Sequence, residues 1–394
     1  MINFKILFIF FMFIYYIMSS NIVYHTADVE ATQDFYVEYN NVDFILAVGP
    51  GRSLVQNSVR LIGDVRILDE NGAIPDNSGG EGFIGFNHRI GCHSFIESCQ
   101  TTFSGLQGGI KENIQNYARW VYMSSTATLA DTDYNSAALQ CEHRAPNQVT
   151  SQAYAGGCLT RGTTPIQTDL DFSVRPLCIL NRMEGDHLPF EKSGDIRLTF
   201  NLARNIAALQ GVKAGNGAAY QLRNLRLSYN SVPTVGTWSD TATSMRSVYN
   251  IKSTLLSGSA NVAAQVPAVC DAVSCSFQRQ SDENVNVVSN LKCNVLPGIR
   301  NLQFQFNNST SQYVTYEMND NNEMLHRYLD SFSHTGYNQT YLANFRDNQS
   351  FGVGLEFKGF IDLTQQQFGI QITSNITNAD PYNLYSYFHS LIRV

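Results

Sequence analysis

Residues Asp171–Ala203 read DFSVRPLCILNRMEGDHLPFEKSGDIRLTFNLA. Two strand-like runs, Phe172–Leu180 and Ile196–Leu202, flank a short polar break. The second run alternates: Ile196, Leu198, Phe200 and Leu202 fall on one face, Arg197, Thr199 and Asn201 on the other. Successive side chains of a strand point to opposite faces, so this pattern predicts a strand with one buried and one wet side. Gly194-Asp195 punctuates its start, and Pro189 holds Leu188 in an extended approach. Pro176 and Leu177 open the same pattern on the N-terminal side. A weaker copy, FGVGLEFKGFIDLTQQQFGIQITSNI, occupies Phe351–Ile376. The chain therefore reads as two related halves.

Outward from this stretch, the first half offers strands at Ser58–Leu68, with Gly63 as a bulge, at Phe83–Ile90, at Ser94–Phe103 and at Tyr220–Tyr229. Ile110, Ile114, Tyr117 and Val121 recur at helical spacing and predict an amphipathic helix over Ile110–Met123. Ser124–Thr164 is long, small and polar, which suits a surface loop or insertion. Ala31–Val42 reads as an acidic extended segment packed on its own domain or on a neighbour. Ser231–Asp240, with Pro233 and Gly236, is the candidate linker. Beyond it come strands at Val248–Leu256, Ser274–Arg279, Asn301–Phe306, Phe351–Phe357, Phe368–Ser374 and Tyr382–Val394. A second helix is expected at Asn322–Phe332, with Met324, Leu325, Tyr328, Leu329 and Phe332 on one stripe. The expected fold is all-β. It has two jelly-roll sandwiches side by side, each with one short amphipathic helix and long loops. The expected division is a hydrophobic segment at 1–20, a first jelly roll with an N-terminal arm at 21–235 and a second at 241–394.

The 394 residues are enough for two large cores, and 43% hydrophobic against 15% charged content marks a folded chain. Abundant Tyr and Phe suit strands. A formal charge of −7 argues against binding along a nucleic-acid backbone, which needs a basic face. Ile6–Met18 is an unbroken apolar run after Lys5, short for a membrane span and suited to a signal-peptide core. It reads either as a signal ending near Ser20 or as an extension upstream of a start at Met18.

The run PLCILN…LPFEKSGDIRLTF, with the closing FGVGLEF…FGIQITSNI…YNLYSYF, resembles the double jelly-roll major capsid proteins of polinton-like viruses and virophages. The resemblance covers the chain after about Ser20 as an order of elements. It implies a homotrimer that tiles the icosahedral shell of a double-stranded DNA virus. Its partners would be further capsomers and minor capsid proteins, and its place the virion. Pro176, Leu177, Leu188, Pro189, Gly194, Ile196, Leu198 and Phe200 would then be a structural motif. A penton protein with one jelly roll and an appended domain also suits this length. So does a secreted glycan-binding β-sandwich, to which the apolar N-terminus and the sequons at Asn307, Asn308, Asn338, Asn348 and Asn375 point.

Chemical motifs are sparse. There is no GxSxG, HExxH or phosphate-loop pattern and no CxxC. Cys141, His143 and Cys158 match no standard zinc spacing, and His88, His93 and Glu97 lack the His-x-His of a cupin. Asp169 and Asp171 share a face if extended, as a glycosidase pair would, but a solvated strand face is the simpler reading. The expectation is a structural protein with no catalytic centre, cofactor, metal or small-molecule substrate.

Overall fold

The computed structural model describes residues 21–394 except 75–83, 88, 106–107, 130–132, 134–135, 145–159, 162–163, 166–168, 186, 212–216, 235–242, 285–290, 292–297, 307–312, 318–320, 336–351, 366 and 378. Eight principal strands build the first half: β1 (Val23–Asp28), β2 (Asn41–Leu46), β3 (Arg60–Leu68), β4 (Ile96–Phe103), β5 (Gly109–Gln115), β6 (Leu170–Val174), β7 (Ile196–Leu202) and β8 (Ala219–Pro233). Eight more build the second: β9 (Thr243–Leu255), β10 (Ser259–Ala264), β11 (Val269–Arg279), β12 (Asn301–Phe306), β13 (Tyr313–Glu317), β14 (Val353–Asp362), β15 (Phe368–Thr373) and β16 (Tyr382–Arg393).

Pairing is antiparallel throughout these sheets, and its order is the same in the two halves. The first half pairs β1-β8-β3-β6 in one sheet and β2-β7-β4-β5 in the other. The second pairs β9-β16-β11-β14 and β10-β15-β12-β13. Adding eight to each strand number converts the first pattern into the second. This is the jelly-roll connection, in which the first strand lies beside the last and the second beside the seventh. In both halves a helix stands between the fifth and sixth strands: α1 (Tyr117–Thr128) and α2 (Asn321–Asp330). The fold is therefore a double jelly roll, as the alternating pattern predicted.

β7 occupies the predicted Ile196–Leu202. Ile196, Leu198 and Phe200 are fully buried, and Phe44 of β2 meets Phe200 edge-on at 6.2 Å. Arg197 is exposed and Thr199 half-buried. Gly63 of β3 lies opposite a bulge in β8, where the register skips between Arg223 and Arg226. A Cβ at Gly63 would stand 2.8 Å from the Arg223 carbonyl, so the partner strand's bulge demands the glycine.

Several expectations are corrected. Ile110–Met123 is not one helix: residues to Gln115 form β5, and α1 begins only at Tyr117, after Asn116 turns left-handed at φ 52°. The i, i+4 spacing of Ile110 and Ile114 fits one face of a helix and one face of a regular strand alike, and β5 is a strand that carries a bulge. Glu112 pairs with Thr101 and Ile110 with Thr102, so Lys111 is the extra residue. The bulge turns Ile110 to solvent and leaves Glu112 and Ile114 inside. The Phe172–Leu180 run ends as a strand at Val174, and Ile179–Asn181 forms a 3-10 turn. Among the described residues of Phe83–Ile90 only Gly85–Phe86 is a strand, and Gly91–Phe95 turns before β4 starts. Ser231–Pro233 of the candidate linker belong to β8, and residues 235–242 fall outside the described set. The strands β1, β2, β10 and β13 had no sequence expectation of their own; β10 is small and polar (SANVAA), and β1 (VYHTAD) buries no side chain fully.

Candidate functional site

The most heavily built place in the molecule is the seam between the sandwiches. The first sandwich contributes β5, α1 and the stretch between β6 and β7; the second contributes the outward face of β9, β16 and β11. Met183–Gly185, from the β6–β7 stretch, pairs antiparallel with Thr243–Met245. The first half thus adds a strand to the sheet of the second and covers the open edge of β9.

Glu112 of β5 is a buried carboxylate at this seam. Its Oε2 accepts the Ile179 N–H at 2.6 Å, and its Oε1 accepts the Val248 N–H at 3.0 Å and the Arg182 guanidinium. Burial pushes the Glu112 carboxyl up, and Arg182 and the two N–H groups pull against that. Arg182 also stands 5.5 Å over the Trp120 ring of α1. Trp120 stacks on Phe332 at 5.8 Å and lies 5.5 Å from Tyr387 of β16. Arg119, one residue earlier, sits 4.2 Å over the Tyr385 ring and donates to Gln278 at 3.3 Å. Tyr387 Oη donates to the Asn116 carbonyl, and Tyr328 Oη of α2 to the Met123 carbonyl. Helix α1 is thereby fastened by aromatic faces and by hydrogen bonds at its start and its middle.

A second buried cluster holds α1 to its own half. Nε2 of His93 lies 2.7 Å from the Arg144 guanidinium and 3.2 Å from Glu142 Oε2, and its Nδ1 lies 2.9 Å from Tyr117 Oη. Tyr117 Oη accepts the Leu177 N–H at 2.9 Å. Glu142 pairs with Arg144 at 2.8 Å and accepts the Arg175 N–H. Burial works to raise the Glu142 carboxyl, but Arg144, His93 and that N–H outweigh it and hold it at about 2. Burial, then Arg144, push His93 down against the pull of Glu142.

The predicted motif residues do not form one patch. Pro176 and Leu177 lie by α1, where Asn181 Nδ2 donates to the Pro176 carbonyl at 2.8 Å. Leu188-Pro189 pairs with Ser53-Leu54 at the far end of the first sandwich's outer sheet. Gly194 takes φ 62°, and a Cβ there would stand 2.5 Å from the Gly105 nitrogen, so two glycine backbones pass in contact. Ile196, Leu198 and Phe200 are core. The residues that tie the halves together, Glu112, Arg182, Trp120, Tyr385 and His389, were not anticipated. An acid between two isoleucines in β5 was the one available signal, and it was masked by the helical reading.

The other candidates are engaged elsewhere. Asp169 pairs with Arg66 at 2.6 Å and Arg223 at 3.5 Å, while Asp171 is exposed beside Asp64, whose hydrogen bond raises it. His143 donates from Nε2 to the Asp171 carbonyl at 2.8 Å. Cys158, His88 and the sequons at Asn307, Asn308, Asn338 and Asn348 lie outside the described residues; Asn375 is exposed. Among the described residues no three His, Cys, Asp or Glu side chains gather as a metal would require. A cavity of about 140 Å³ at one end of the seam is lined by Glu97, Arg119, Arg204, Lys252, Glu283 and Tyr385. Its charges compensate one another, since Glu283 accepts from Lys252 at 3.1 Å and from Asn383 at 2.6 Å.

No family model matches the chain, and no curated protein matches it in sequence. Solved structures do. The Faustovirus major capsid protein superposes with TM-score 0.58 at 8% identity, over 95% of this chain and 90% of that one. A chain in the cryo-EM structure of the Sputnik virophage gives 0.58 at 13% identity, over 94% and 86%. The mavirus major capsid protein gives 0.53 at 10% identity, over 95% and 88%. What is shared is the double jelly-roll fold along almost the full length of each chain.

Proposed function

We propose that this chain is a structural capsid protein of a virus, working in the virion as a homotrimeric capsomer of an icosahedral shell. The supporting likeness is one of fold, to the major capsid proteins of Faustovirus and mavirus. The observation that carries the trimer is internal. In the second sandwich the outward face of the β9-β16-β11-β14 sheet is buried under α1 together with α2: Tyr385, Tyr387, His389, Ser274, Ser276 and Gln278 are all almost fully covered. The same face of the first sandwich, with Tyr24, Thr26, Asp28 and Arg226, lies exposed in the single chain. Tyr24 is 79% exposed. Two halves of one topology are packed head to tail, and a heterologous contact of that kind gives a ring where its rotation closes. Three copies, each laying its second sandwich on the open face of the next, would close six sandwiches into a pseudo-hexagonal ring.

In this reading the chain divides into residues 1–20, a first jelly roll over 21–235 and a second over 241–394. Its important side chains form interfaces and no reaction centre, and its partners are copies of itself, neighbouring capsomers and minor capsid proteins. The net charge of −7 argues against broad nucleic-acid binding. The penton alternative needs one jelly roll with an appended domain, whereas both halves here have the full eight-strand order. Light scattering on the purified protein is the test. A mass of three chains is expected. A monomer persisting at high concentration overturns the capsomer reading.

A further inference from the structure

One pair of side chains at the seam has a chemistry that none of the packing requires. His389 of β16 is fully buried. Trp120 stands edge-on to its ring at 5.3 Å and Phe332 at 5.1 Å. Its Nε2 lies 2.9 Å from Ser274 Oγ and its Nδ1 3.3 Å from Nε2 of His334. His334 belongs to the short turn Ser333–Thr335 that follows α2. It forms part of the wall of a cavity of about 230 Å³, with Arg246, Asp271, Ser333, Glu356 and Phe360. Solvent protons therefore have a route to the pair.

The charged groups around it come from every neighbouring element. Arg246 comes from β9, Asp271 from β11, Glu356 from β14 and Glu184 from the added strand Met183–Gly185, with Arg182 just before that strand. The carboxylates are already engaged: Glu184 and Asp271 by Arg246, Glu112 by Arg182, Glu356 by Lys358 and Ser333. Of the charges set against the imidazoles, the two guanidiniums are the ones that oppose a proton there.

We propose that His334 and His389 form an acid-sensitive latch on the seam: proton uptake separates the two rings and loosens the packing of Trp120 and Phe332 between the sandwiches. The contact between the rings needs one nitrogen to donate and the other to accept, which is the neutral pair. One added proton keeps that hydrogen bond but places a charge in a buried site facing Arg246 and Arg182. A second added proton sets two N–H donors against each other, and the rings part. Burial first, then Arg246 and Arg182, hold His334 down at about 4. Burial, then His334 and the same two arginines, hold His389 well below its ordinary value. In the unfolded chain a histidine titrates near its ordinary value of about 6.5. The stability held by the neutral pair is thus complete above that value and is lost as pH falls from about 6.5 toward about 4.

The test reads Trp120 emission in full-length Trp238→Phe protein, which leaves one tryptophan. A reversible red shift is expected as pH falls below about 6 and through about 4. His389→Gln, which keeps a polar partner for Ser274, should abolish that shift or move its midpoint down by about one pH unit. His334→Gln, on the cavity wall, should do the same. An unchanged midpoint in the folded variants, or no shift in the parent, overturns the latch. Should both variants fail to fold, deuterium exchange at the histidine C2 positions of the parent protein decides by mass spectrometry. His334 exchanging with an ordinary or raised midpoint overturns the proposal, and a lowered midpoint upholds it.

Discussion

Glu112 of the first sandwich accepts the backbone N–H of Val248 in the second at 3.0 Å, from a fully buried carboxylate. This bond joins β5 to β9, strands of different sandwiches, and the same carboxylate also holds Ile179 and Arg182. The halves are thereby fastened by a group that water cannot replace. Removing it leaves two backbone donors and a largely buried guanidinium without their acceptor.

Glu112→Ala is expected to cost about 3–5 kcal/mol, the usual cost of breaking a buried ion pair from one side. Glu112→Gln keeps a neutral acceptor and should cost less. Guanidinium melts of the three proteins measure the difference. An alanine variant as stable as the parent would show that the seam does not depend on this carboxylate.

Acid should act on Glu142 in a lower window than on the histidine latch. Its carboxyl is held at about 2 against an ordinary 4.5. A lowered carboxylate contributes stability that is fully present above the unfolded value and is lost as pH falls from about 4.5 to about 2. The downward shift corresponds to about 3 kcal/mol. Glu142→Gln should flatten the stability profile in that window and leave the interval above it unchanged, as read by melts at stepped pH.

Phe200→Ala should cost about 3–5 kcal/mol, because it empties a fully buried site against Phe44. Thr199→Ala loses one hydrogen bond to the Asp43 carboxylate at a half-buried position and should cost about 1 kcal/mol. Similar denaturation midpoints for the pair would contradict the orientation of β7.

Gly194→Ala combines a left-handed backbone with a Cβ driven into the Gly105 backbone, and roughly 1–3 kcal/mol or more should be lost. Gly49 also has a positive φ, 87°, but nothing lies within 4 Å of its missing Cβ. Gly49→Ala should therefore cost less, and comparing the two melts separates collision from backbone strain.

What was legible in the sequence is what short-range pattern can carry. The alternation of Ile196–Leu202 placed β7 to the residue, and Asn301–Phe306 did the same for β12. The stripe Met324, Leu325, Tyr328, Leu329 and Phe332 marked α2 and the residues just after it. The repetition of strands, helix and strands in each half carried the double jelly roll, since a period of two and a period of 3.6 are properties of neighbouring residues. The bulge at Lys111 lay beyond that kind of reading. A bulge exists only against a partner strand, and without β4 beside it the isoleucines of β5 looked like one face of a helix.

The seam was decided by tertiary structure alone. Glu112 meets Val248, Trp120 meets Tyr387 and His389 meets His334 across long stretches of chain. A glutamate or histidine in a half-polar strand is normally solvated, and only what packs opposite determines whether it is buried, paired or held neutral. The sequence by itself determined which residues would form sheets and that the sheets would come in two like sets. The tertiary structure decided which face of the second set the first would cover, because burying that face depends on shape and charge assembled from residues that no local pattern connects.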